Sequence, residues 1–126
     1  MSANGEEPSS VQNGDINSPH IEFLYFASCP NAPAALALLR DVLRAEAIAS
    51  EIVMIAVETE EAAQRNRFFG SPTIRINGVD ISPPPTSARP SIMCRLYVQE
   101  DGHYAPHPPA DVIVEALRRS RRHANT

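Results

Sequence analysis

Lysine is absent from the 126 residues, and all eleven basic side chains are arginine. We read that as composition bias rather than chemistry. An excess of positive charge is lacking too. Fifteen carboxylates leave a net charge of −4, which gives no support to a nucleic-acid partner. No apolar run approaches the roughly 18 residues of a membrane span. Residues 1–19 have neither a basic start nor an apolar centre, so no signal peptide is read there and the expected location is the cytoplasm. Cysteine is scarce, with Cys29 and Cys94 only. Two distant cysteines without an export signal point to free thiols in a reducing compartment. A chain of this length buries a core without disulfide staples. The four histidines, His20, His103, His107 and His123, show no metal-ligand spacing with either cysteine, so no metal site is expected.

What is present divides into a polar tail and one domain. Residues 1–19 are rich in Ser, Asn, Gly and Glu and are expected to be disordered. The domain is expected over 20–122, followed by a short tail over 123–126. A buried strand reads over 21–26. A helix follows from about Pro30 to Ala47, with Leu36, Leu39, Leu43 and Ala47 on its apolar face, Ser28 as N-cap and Pro30 in the first turn. The near-continuous apolar run over 51–57 suits a strand covered on both faces. Thr59 caps a short helix through about Phe69, ended by Gly70. A third strand covers 73–77 and closes at the Asn77-Gly78 turn. Residues 82–90 hold four prolines and read as an extended surface loop. A fourth strand is expected over 93–99, half-buried, with Cys94 in the core. After the Asp101-Gly102 turn and Pro108-Pro109, a last helix runs to about Arg122, with Val112, Ile113, Ala116 and Leu117 toward the core. Arg75 alternates with Ile74 and Ile76 and is expected to face out.

Cys29 is the residue with the most chemistry. On the first turn of a helix, a thiol meets unpaired backbone N–H groups and the positive end of the helix dipole, and both favour thiolate over thiol. The run Phe23-Leu24-Tyr25-Phe26-Ala27-Ser28-Cys29-Pro30-Asn31 resembles the strand, thiol and helix start of thioredoxin-fold proteins. Ser71-Pro72-Thr73 resembles their cis-proline loop, which lies against the active-site thiol. Residues 21–116 also resemble a small group of bacterial thioredoxin-like proteins often labelled alkylmercury-lyase-like, some of which carry selenocysteine at the reactive site. The shared runs read here Phe68-Phe69-Gly70-Ser71-Pro72-Thr73-Ile74 and Cys94-Arg95-Leu96-Tyr97. The resemblance implies an α/β thioredoxin-like domain of order β-α-β-α-β-β-α, with a four-stranded mixed sheet between helices. It also implies Cys29 as catalytic thiol, with Pro30, Ser71, Pro72 and Thr73 binding substrate and Ser71-Pro72 cis.

Cys29-Pro30-Asn31-Ala32 departs from the dithiol Cys-x-x-Cys pattern, because its fourth position is Ala32. A single thiol cannot resolve its own mixed disulfide, so glutathione or another cysteine must do so. Organomercurial cleavage needs two thiolates and a carboxylic acid, and no carboxylate neighbours Cys29 in sequence. Phe26 replaces the peroxiredoxin threonine, and no arginine follows Cys29 within five residues as an arsenate reductase would need. Three functions remain: monothiol redox chemistry on a small thiol or disulfide, with no bound cofactor; soft-metal or organomercurial handling; and a non-catalytic module presenting the Pro72 groove. His103 is a candidate for activating the thiol. Cys94, placed at the start of the returning fourth strand near Gly78, is expected about 16 Å from Pro72, too far to form a disulfide with Cys29.

Overall fold

The computed structural model describes residues 18–124, so the expectation of disorder falls outside the described residues for 1–17. Pro19, assigned to the tail, is buried, and its carbonyl accepts a hydrogen bond from Ser50 Oγ (2.7 Å). The elements run β1 (Ile21–Tyr25), α1 (Ala32–Ala45), β2 (Ile52–Ala56), α2 (Glu60–Asn66), β3 (Thr73–Ile76), β4 (Val79–Asp80), β5 (Tyr97–Val98), β6 (Tyr104–Ala105) and α3 (Ala110–Ala124). Four strands form a mixed sheet in the order β2-β1-β3-β4. β2 lies parallel to β1, while β3 is antiparallel to both β1 and β4. This is a thioredoxin-like α/β arrangement.

Side-chain alternation along β1 divides the interior. Ile21 and Phe23 join Leu39, Leu43, Ile74, Ile76, Ile113 and Leu117 in the main core with α1 and α3. Leu24 points the other way, toward Val57, Ala63 and Phe68, in a smaller core under α2. Among the described residues no helix is long and apolar enough to cross a membrane.

The fourth sheet strand is not 93–99 but Val79–Asp80. Asn77 (φ 54°) and Gly78 (φ 83°) both take left-handed conformations, and Ile76 pairs with Val79. A two-residue turn of this kind sends the chain straight back along the strand it has left. Of the expected strand, only Tyr97–Val98 is regular, and it pairs with β6 in a separate two-stranded ribbon. β2, expected to be covered on both faces, is an edge strand with Val53 and Met54 about two-fifths exposed (41% and 42%). The seven-residue α2 shields Leu24, Val57 and part of Ile55 on one face but leaves Val53 there open, while Met54 lies on the opposite face.

α1 begins at Ala32 rather than Pro30, with Asn31 as N-cap in place of Ser28. Proline has no N–H, so it fits only where the helix leaves that donor unpaired. A start at Pro30 would put Pro33 where the first intrahelical bond must be donated. α1 stops at Ala45. Ala47 (φ 55°) turns left-handed, and Ile48 N–H bonds the Leu43 carbonyl (2.9 Å), so Ala47 is exposed rather than part of the apolar face. α2 is capped by Thr59 Oγ1, which accepts from Ala62 N–H (3.0 Å). It ends at Asn66 through a left-handed Arg67 (φ 49°), not at Gly70.

Candidate functional site

Three strand ends meet at one end of the sheet. Thr73 pairs with Leu24, so Pro72 lies level with the C-terminal end of β1. Val57 N–H bonds the Tyr25 carbonyl (2.7 Å), bringing the end of β2 alongside. The β1–α1 connection leaves from there. It folds into a turn in which Cys29 N–H bonds the Phe26 carbonyl (3.0 Å) and the Cys29 carbonyl accepts from Ala32 N–H (3.4 Å). Cys29 thus stands two residues ahead of the helix cap, not on the first helical turn. It is 4% exposed and packs with Ala32 and Ala35 in the main core, whereas Pro30 is exposed.

The fold supplies a carboxylate that sequence proximity did not reveal. Glu58 Oε2 accepts from Ala27 N–H (2.7 Å), fixing the turn two residues before Cys29.

The Ser71-Pro72 peptide bond is cis, as expected. Ser71, Pro72 and Thr73 are buried. Their outer edge is occupied by residues 93–97. Ser71 N–H bonds the Met93 carbonyl (2.8 Å) and Arg95 N–H bonds the Ser71 carbonyl (2.9 Å). Gly70 (φ 127°) permits this approach, since a Cβ there would stand 3.0 Å from Arg95 Cβ and 3.3 Å from the Met93 carbonyl oxygen. The Ser71 hydroxyl is buried with no hydrogen-bond partner among the described residues.

Cys94 therefore sits beside Ser71, not near Gly78, and it is exposed rather than in the core. Both cysteines are free, as expected, although the separation argued from strand register does not apply.

Sequence reasoning missed Arg95. Its guanidinium is buried and bonds Asp80 Oδ2 (2.9 Å), Thr73 Oγ1 (3.0 Å) and the Ser82 carbonyl, and it lies 4.8 Å from the centroid of the Tyr97 ring. The Tyr97 hydroxyl in turn donates to the Pro72 carbonyl. Burial pushes the Tyr97 phenol far above its usual range; nearby Asp80 raises it further, and Arg95 opposes the shift. Arg75 is half-buried rather than outward, and donates to the Asn66 and Arg67 carbonyls.

His103 lies in the turn between β5 and β6, exposed, with Nδ1 2.8 Å from Asp101 Oδ2. Hydrogen bonds from His103 hold the Asp101 carboxyl below its ordinary value. Among the described residues no group of three His, Cys, Asp or Glu side chains is placed to hold a metal ion.

Comparison with protein-family models, curated proteins and solved structures finds no match to this chain. The thioredoxin-like arrangement rests on sheet order, strand directions and helix placement.

Proposed function

We propose that the protein is a single-thiol redox protein in which Cys29 attacks small disulfides. The observation that carries this reading is that the Cys29 turn and the Ser71-Pro72-Thr73 loop stand at the same end of β1 and β3, where Ser71 keeps a buried hydroxyl with no partner among the described residues. Native structures pair nearly all such groups, so an orphan at a candidate site suggests a role other than stability. Cys29 as thiolate attacks one sulfur of R–S–S–R, forming Cys29–S–S–R and releasing R–S⁻. A second thiol, such as glutathione, attacks the R sulfur. It forms a new disulfide, returns Cys29 as thiolate and gives up its own proton. Exposed Pro30 meets the substrate, while Ser71, Pro72 and Thr73 shape the floor beneath it. The burial of Cys29 favours small disulfides over protein substrates.

The test is incubation with glutathione disulfide followed by intact-mass analysis. One glutathione adduct is expected on the native chain and on Cys94→Ser, and none on Cys29→Ser. An adduct on Cys94 alone would overturn the proposal.

A second reading, organomercurial handling, is supported by one observation. Folding brings the Glu58 carboxylate to the Cys29 turn and Cys94 to Ser71, although among the described residues the three side chains do not converge as a metal-holding group. Retention of Hg(II) by the native chain and its loss in both single cysteine variants, without any glutathione adduct, would favour this reading.

A further inference from the structure

Away from the Cys29 turn, a cavity of about 550 Å³ opens between the C-terminal end of α2, the β3–β4 hairpin and the proline-rich loop over 82–90. Its volume falls within the roughly 300–1,000 Å³ of small-molecule sites. Three arginines line it: Arg65, Arg67 and Arg75. Among the described residues none of the three forms an ion pair with a carboxylate. Asp80 is the sole acidic residue in the lining, and its carboxylate is already engaged by Arg95 (2.9 and 3.4 Å) and by Ser82 N–H (2.8 Å).

Two of the arginines are held in place from behind. Arg75 is anchored on the Asn66 and Arg67 carbonyls. The Arg67 guanidinium lies 5.6 Å from the centroid of the Phe69 ring, and Phe69 also lines the cavity. Three like charges around one concavity repel one another, and in a chain of net charge −4 this concentration is local. Guanidinium groups present planar forks of donors that match carboxylate and phosphate oxygens.

We infer that this cavity is a binding site for a small oxyanion ligand bearing phosphate or carboxylate groups, with Phe69 and the prolines receiving its apolar part. The site is separate from the thiol chemistry and stands whether or not Cys29 is reactive.

The test is calorimetric titration of the full chain with inorganic pyrophosphate and, separately, with citrate at matched ionic strength. At least one should bind saturably. Arg65→Gln and Arg67→Asn should each weaken binding about tenfold, the usual size of a lost charged hydrogen bond. Asn tolerates the left-handed backbone at position 67. Arg44→Gln, which removes an exposed charge paired with Asp41 on α1, should leave binding unchanged. Binding of pyrophosphate alone assigns a phosphate ligand, and binding of citrate alone assigns a carboxylate ligand. No saturable binding by either, or equal weakening by Arg44→Gln, would overturn the inference. Unchanged melting of the variants without anion separates lost binding from lost folding.

Discussion

Removing the Arg95 guanidinium would leave the Asp80 carboxylate largely buried without its counter-charge. Breaking such a pair from one side is far more costly than replacing both partners. Arg95→Met should therefore lower stability by about 3 kcal/mol in urea unfolding, and adding Asp80→Asn should recover part of the loss. Tyr97 belongs to the same network. Its folded-state phenol titrates well above the unfolded value of about 10. The stability gained from keeping it neutral is fully present below that value and lost as pH rises beyond it. Tyr97→Phe should cost about 1 kcal/mol at neutral pH through the lost bond to Pro72. It should also flatten the alkaline fall in the urea midpoint. Little of this was legible in the sequence. Alternation over 93–99 marks residues of one parity as inward, but a charged side chain at such a position is ordinarily assigned outward. Nothing local shows that Asp80, across a long loop, is waiting for it. Cys94 was misjudged for the same reason: with Arg95 and Tyr97 inward, the intervening positions face solvent.

At the level of elements, one helix cap and one turn were read directly from side-chain chemistry, whereas the α1 start was not. Thr59 and Asn77-Gly78 acted as their side-chain chemistry predicts. The ends of α1 and α2 use a non-glycine residue in the left-handed region, Ala47 and Arg67, and neither announces itself as a stop; α3 runs to Ala124, two residues past its expected end. Ala47 is exposed and carries the Cβ penalty of that conformation, about 1–2 kcal/mol, against which glycine's extra chain entropy weighs about 0.5–1 kcal/mol. Ala47→Gly should therefore stabilise the protein by about 0.5–1 kcal/mol, read as a rise in the denaturation midpoint. The fourth strand was legible and was missed. Asn-Gly flanked by apolar residues dictates an immediate return, so Val79 had to pair with Ile76. The more apolar stretch after the proline loop drew the assignment instead.

For the whole molecule, the α/β class and the four-stranded mixed sheet were legible, whereas the strand order β2-β1-β3-β4 came from the structure. The ribbon β5–β6 was not legible, because two-residue strands carry no periodicity. Stability should be graded accordingly. β1 is hydrogen-bonded on both sides and lies between both cores, while β5–β6 stands outside the sheet. Amide hydrogen exchange should be slowest in β1 and fastest in β5–β6.

The Asn77 side chain carries a last consequence. Its Oδ1 accepts from His20 N–H (2.9 Å), and its Nδ2 donates to Ser120 Oγ (3.2 Å). The chain enters the sheet and runs out along its final helix within reach of a single amide group. A short Gly-Ser splice could join those two points, with new ends opened in the exposed 82–90 loop, giving a circular permutant with the same strand neighbours in a different chain order. The same closeness suits the domain to insertion into a host loop, because its two attachment points would demand little separation from the host.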